Sequence, residues 1–342
     1  MRALTLLIAA ALAGCSAPPP SAEHVLTYAS PYPPTHPFGL ADQEWMKWVE
    51  EKSGGRIAFK PYWSGALLSS EMSMEEIRHG VADIGLITPI YSKGGAHLLR
   101  SQSAFYGGIR DLPDQIKVYD CLADRFPQFG KELEGLHVLA VKAGNFPGVL
   151  TRDRPIRSLA DFKGLRLRAQ TDAVDILKQL GADPVNMPMG EVYSALAKGV
   201  IDGVVAPADT IRSLHFAEVA KHFTTIRVSR GAYPARAMSD KAWRRLPPEL
   251  QAVMDEGRRV CEAALNRQLL KAEQAGIDYG KANGISFSPI SPAEQQAFDA
   301  LYNKDALEQA KRLSGVGIDA VPIYTEAQRL IRAGDIHCEA KP

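Results

Sequence analysis

Residues 164–207 read GLRLRAQTDAVDILKQLGADPVNMPMGEVYSALAKGVIDGVVAP, and this stretch decides the fold. Residues 165–168 alternate apolar and basic, as a strand entering a sheet does. Val174, Leu177 and Leu180 then recur at helical spacing and stop at Gly181. An apolar strand follows around 184–187, then a short helix over 191–198 ended by Gly199, then a strand over 203–206. The order is β-α-β-α-β. In an open α/β sheet, ligands bind outside the carboxyl ends of the strands. Arg168 stands where the first strand ends, which makes it the leading candidate ligand contact. Its planar fork suits a carboxylate, held through two parallel hydrogen bonds. Arg166 lies one alternation back and is read as exposed.

The same order recurs near the front of the chain. A strand is expected over 24–30, a helix over 40–52 stopped by Ser53-Gly54-Gly55, a strand over 56–62, a helix over 74–79 and a strand over 82–87. The match is also local: IRHGVADIGLI (77–87) lies against LAKGVIDGVVA (196–206). In both, glycine ends a helix, valine and aspartate follow, and a strand begins. Gly80 and Gly199 are placed just past the helix end, where a left-handed backbone favours glycine. Asp83 and Asp202 are expected to tie the turn. Two such units predict two similar lobes with a cleft between them.

Between the units, helices are expected over 111–122 and 125–133 and a strand over 136–142. The turn-rich AGNFPG (143–148) carries the chain into the second lobe, and 230–238 carries it back. A long apolar stripe from 249 to about 276, including Leu250, Met254, Cys261, Leu265 and Leu269, predicts a helix bracing both lobes. A strand over 286–289 and helices over 292–313 and 320–331 pack outside. The polar tail from Gly334 is expected to fray.

The chain has 342 residues, long enough for two domains, and 46% apolar content supplies a core for each. A formal net charge of +1 without a basic run leaves no footprint for nucleic acid. No dinucleotide, phosphate-loop or nucleophile-elbow motif is present, so no cofactor is expected. His215 and His222, seven residues apart without a carboxylate motif, make no metal pair. Residues 1–14 have the layout of a secretory signal. Leu12-Ala13-Gly14-Cys15 resembles the bacterial lipobox, so Cys15 is the expected lipidation site on the Pro-rich tether 15–23. Cys121, Cys261 and Cys338 leave at most one internal disulfide, with the pairing open. Expected domains are 24–145 with about 232–272 as the first lobe, 146–231 with about 273–334 as the second, and 335–342 as the tail.

LADFKGLRLRAQ (159–170) and LGADPVNMPMGEVYSALAKGVIDGVVAP (180–207) together resemble the core of the solute-binding proteins of TRAP transporters. SDKAWRRLPPELQAVMDEG (239–257) is similar to the start of that family's long helix. THPFGLADQEWMKWVEEKSGGRIAFKPYWSGAL (35–67) extends the likeness toward the front. The resemblance implies a two-lobed periplasmic-binding-protein-like α/β fold, with crossing strands and a long bridging helix. It also implies a small organic acid trapped by lobe closure and delivered to two integral-membrane subunits driven by an ion gradient, on the periplasmic side. The last arginine of GLRLR, Arg168, takes the ligand carboxylate in that family. A second ligand arginine of many members falls at Gly148, and a Gln-Glu-Asn-Pro segment is replaced by Val204-Val205-Ala206-Pro207. A smaller or more apolar acid is therefore expected, with Arg168 as its only strong charge. The other strand-end candidates are Tyr28, Ser30, Thr88, Tyr91, Asn186, Met189, Ala206 and Asp209, with Phe146 to stack on the ligand. Two other readings stay open, a receptor for another importer class and an exported hydrolase with an unrecognised triad.

Overall fold

The computed structural model describes residues 22–338. Cys15 and its tether to residue 21 lie outside them. The chain forms two α/β lobes, each built on one mixed sheet.

The first sheet contains β1 (His24–Ala29), β2 (Ile57–Tyr62), β3 (Ile84–Leu86), β4 (Leu136–Lys142) and β10 (Tyr233–Ser239), in the order β2-β1-β3-β10-β4. The second contains β5 (Gly148–Thr151), β6 (Arg166–Arg168), β7 (Asp183–Val185), β8 (Gly203–Ala206), β9 (His222–Thr225) and β11 (Ser286–Pro289), in the order β11-β9-β5-β8-β6-β7. The two sheets repeat one plan. Three parallel strands, β2-β1-β3 or β7-β6-β8, are followed by an antiparallel strand that arrives from the other lobe. The chain therefore crosses directly from β4 to β5 and from β9 to β10, and passes over once more, from β10 to β11, through the helix Pro248–Ala282. Strand β5 is an addition to the elements legible in sequence, where only the turn before it stood out.

The local repeat has a specific physical basis. Gly80 and Gly199 both adopt left-handed φ, +79° and +69°. The aspartates do not tie the turn, as expected, but the neighbouring strand. Asp83 accepts a hydrogen bond from the Thr27 amide at 2.9 Å, and Asp202 accepts one from the Arg166 amide at 2.7 Å. In both lobes the same side chain thus supplies an acceptor to a backbone amide of the adjacent parallel strand.

The brace is the helix Pro248–Ala282, 35 residues and roughly 52 Å at about 1.5 Å per residue. Leu250, Met254, Cys261, Ala264, Leu265 and Leu269 form its buried stripe. It packs on the helix Pro37–Lys52 and on β4 in one lobe, and on the helix Asp209–Ser213 in the other. It runs past the expected stop at Gly276, because that glycine is a contact point rather than a terminus. A Cβ there would lie 2.1 Å from the Ala208 carbonyl oxygen. Gly280 likewise packs under Phe287 and Ile211.

The tail also departs from expectation. Ile336 is buried, and Cys338 is bonded to Cys121 on the helix Leu112–Arg125. Residues 335–338 are thus tied down, and 339–342 lie outside the described residues. Cys261 is the buried free thiol. The bridge closes a loop of 217 residues, for which the chain-entropy account gives roughly 5 kcal/mol. Cys338→Ser is expected to lower the thermal midpoint measured without reductant. Dithiothreitol should lower the wild-type midpoint by a similar amount and leave the variant's unchanged.

Candidate functional site

A cavity of about 450 Å³, including its mouth, opens between the lobes. Its wall combines aromatic and apolar residues, Tyr32, Phe38, Tyr91, Tyr233, Met189 and Leu269, with the charged groups Lys142, Arg230 and Asp209. First-lobe, second-lobe and crossing segments all contribute.

Arg168 ends β6 with its side chain fully buried. Nε donates to the Met187 carbonyl at 3.0 Å, and Nη2 donates to the Tyr91 hydroxyl at 2.5 Å. Nη1 is buried without a hydrogen-bond partner. Such a donor is costly to leave unmade, more so on a charged group. Arg168 does not itself line the cavity; it stands behind Tyr91, which does. The contact joins the lobes, because Tyr91 follows β3 in the first and Arg168 belongs to the second.

Tyr32 reports how close these groups are. Burial pushes its hydroxyl well up, Tyr91 and Tyr233 add to the rise, and Arg168 and Arg230 oppose it. The three tyrosines and two arginines therefore share one electrostatic neighbourhood. Lys142 ends β4 almost wholly buried, its Nζ 4.4 Å from the Phe38 ring centre and 3.4 Å from the Tyr233 oxygen. Burial pushes its ammonium well below the ordinary value, helped by Arg230 and Arg236. Burial also takes His36 down to about 3, so this wall residue is neutral at physiological pH. Arg230 lies against Gly144, where a Cβ would sit 2.8 Å from its Nε.

Of the residues expected from strand ends, Tyr91, Met189 and Asp209 come together on the cavity wall. Asp209 is buried, which raises its carboxyl, and it accepts from Asn145 Nδ2 at 3.4 Å. The others are placed elsewhere. Tyr28 points into the first-lobe core and donates to Asp42 at 2.5 Å, so its hydroxyl is committed. The Ser30 hydroxyl accepts from the Tyr32 amide at 3.2 Å and shapes the turn that carries Tyr32. Thr88 is buried against Ser73, with its hydroxyl donating to the Ser70 carbonyl. Ala206 pairs with Gly148 inside the second lobe, and only its successor Pro207 reaches the wall. Phe146 is covered by the Arg227 guanidinium at 4.0 Å from its ring centre. Asn186 borders an adjacent groove, with Tyr91 and Met187.

Sequence reading missed Lys142, Arg230, Tyr32 and Tyr233. Lys142, Arg230 and Tyr233 sit at or beside a crossing, and Tyr32 in the turn after β1, where neither strand alternation nor helical spacing marks a wall position. It also left Arg168 as the sole strong charge, which the structure corrects. A side chain cannot occupy position 148, since a Cβ there would lie 2.5 Å from the Thr224 carbonyl oxygen. Cations come instead from the end of β4 and from the segment before β10. Among the described residues, no group of three or more His, Cys, Asp or Glu is placed to hold a metal ion.

The family model for bacterial extracellular solute-binding proteins of family 7 matches residues 28–312. The chain belongs to this family. Its members are the solute-binding proteins of TRAP transporters, extracytoplasmic receptors rather than enzymes. Among curated relatives, the C4-dicarboxylate-binding periplasmic protein DctP of Rhodobacter capsulatus is 26% identical over 316 residues, covering 88% of this chain and 91% of that protein. A TRAP solute-binding protein of Rhodoferax ferrireducens, solved with copurified benzoate, superposes with a TM-score of 0.81 at 24% identity, covering 90% of this chain and 98% of its own. A marine-metagenome TRAP solute-binding protein specific for aromatic acid ligands, solved with 3-hydroxybenzoate, gives 0.80 at 26% identity, covering 92% and 100%.

In this family 7 receptor, Glu273 on the brace accepts from the Ala208 and Asp209 amides at 3.3 and 3.1 Å, directly behind the cavity wall. Burial, with Asp209 adding, pushes its carboxyl from 4.5 to about 7. The folded state therefore binds the proton more tightly than the unfolded chain does. The associated stability is fully present below about 4.5 and is lost as pH rises through 7. Glu273→Gln removes the titration. Relative to wild type, the variant is expected to gain on the order of 1–3 kcal/mol between pH 5 and pH 8 in denaturant melts.

Proposed function

We propose that this receptor captures an aromatic carboxylate between its lobes and hands it to two integral-membrane TRAP subunits for uptake driven by an ion gradient. The observation that carries the reading is the buried Arg168 guanidinium, held by Met187 and Tyr91 with Nη1 unpartnered, beside a cavity walled by three tyrosines and a phenylalanine. The ligand carboxylate completes the hydrogen bonding of Arg168 next to the Tyr91 hydroxyl, and its ring lies among Tyr32, Phe38 and Tyr233. The marine-metagenome relative's specificity for aromatic acids supports the choice of class. Because Tyr91 and Arg168 come from different lobes, the acid favours the closed arrangement over the open one. We assign 24–145 with about 232–272 to the first lobe and 146–231 with about 273–334 to the second. Lipidation at Cys15 would hold the receptor near its membrane partners.

Isothermal titration with benzoate and 3-hydroxybenzoate tests the reading. Wild type is expected to bind at least one of them at micromolar concentration or below. Arg168→Ala should lose about a hundredfold, equivalent to about 2.7 kcal/mol, and Tyr91→Phe should lose less. An unchanged affinity in Arg168→Ala would overturn the assignment.

A further inference from the structure

We propose that Lys142 and Arg230 form a second anion-binding centre, so that the preferred ligand is an aromatic acid with two carboxylates rather than one. The inference rests on the reading above, in which Arg168 takes the first carboxylate.

The charges around the cavity do not balance. Arg236 and Asp42 form a fully buried ion pair, with Nε donating to Oδ1 at 2.7 Å. On the wall itself Lys142 and Arg230 stand against the single carboxylate of Asp209, with Arg168 and the raised carboxyl of Glu273 behind it. Among the described residues, neither Lys142 nor Arg230 forms an ion pair. Burying two such cations without a counter-ion is unfavourable, and a paired anion relieves it.

The two cations are also arranged as a site. Lys142 ends β4, and Arg230 precedes β10, the strand paired with β4. Both act on the Tyr233 hydroxyl: Lys142 donates to it at 3.4 Å, and the Arg230 charge opposes the rise that burial gives it. Phe38 covers the ammonium, so its remaining donors have few partners inside the protein. Arg230 keeps its place because residue 144 is glycine, and any Cβ there would press on Nε and Cζ at 2.8 and 2.9 Å. Asn145 lies between this centre and Asp209, donating to Asp209 Oδ1 and to the Leu269 carbonyl.

The Arg168 centre belongs to the second lobe's sheet, whereas Lys142 and Arg230 belong to the crossings. The rings of Tyr32, Tyr91 and Tyr233 line the cavity, with the Tyr91 hydroxyl on Arg168 and the Tyr233 hydroxyl on Lys142. An apolar, aromatic middle with a cationic group at each end fits a planar ring carrying two carboxylates. Uncharged substituents would leave the second centre uncompensated.

Titration calorimetry of the full-length wild-type protein with benzoate and the three benzenedicarboxylates, at one ionic strength, decides the question. At least one dicarboxylate is expected to bind ten times or more tighter than benzoate. In Lys142→Met and Arg230→Met that ratio should fall below threefold, and Lys142→Arg should restore part of it. Because each ratio is internal to one variant, a general loss of stability does not imitate the effect. Benzoate binding that depends on Arg168, with no dicarboxylate favoured, overturns the second centre and leaves the aromatic-acid reading standing. A ratio unchanged in both methionine variants also overturns it. Binding of none of the four acids overturns both.

Discussion

Charge compensation between the lobes is the constraint on which the site depends. One buried pair sets it. Asp42, on the helix Pro37–Lys52, meets Arg236 on β10 at 2.7 Å, and Tyr28 on β1 donates to the same carboxylate. Burial works against the Arg236 charge, yet Asp42 outweighs it and holds the guanidinium protonated. Breaking such a pair from one side would strand a buried ion. The pair therefore locks a first-lobe helix to the strand that returns from the second lobe. It also commits Asp42 to Arg236, and the cavity wall carries Lys142 and Arg230 against the one carboxylate of Asp209.

The repeated sheet plan explains where those cations sit. Each lobe has three parallel strands of its own and completes its sheet with a strand from the other, so both crossings run past the cavity. Lys142 closes β4 at one crossing, and Arg230 stands before β10 at the other. A ligand that touches these crossings and Arg168 together contacts segments of both lobes at once. Differential contact of that kind is what allows a ligand to shift a two-state equilibrium. The long helix adds the opposite property, rigidity. Gly276 against the Ala208 carbonyl and Glu273 on the Ala208 and Asp209 amides clasp the second lobe to the brace.

Part of the site was legible because strands end where ligands bind. That rule singled out Arg168, which lies behind Tyr91, and Tyr91, Met189 and Asp209, which lie on the cavity wall. It misplaced Tyr28, Thr88 and Ala206 because alternation tells which face of a strand a residue occupies but not which face the cleft adjoins. In the first lobe, the face carrying Tyr28 covers Asp42. It missed Lys142 and Arg230 because a cation before a turn reads as solvated. Only the pairing of β4 with β10 brings the two together.

The repeat IRHGVADIGLI and LAKGVIDGVVA, with left-handed turns at Gly80 and Gly199, is local chemistry, and the sequence alone determined from it two lobes of one design. The stripe from Leu250 to Leu269 likewise determined the brace, because helical periodicity needs no knowledge of the partner. The end of that brace, the bond between Cys121 and Cys338, and the gathering of Arg230 with Lys142 were decided by tertiary structure alone. Each joins residues far apart in the chain, and its strength lies in burial, which no local pattern records.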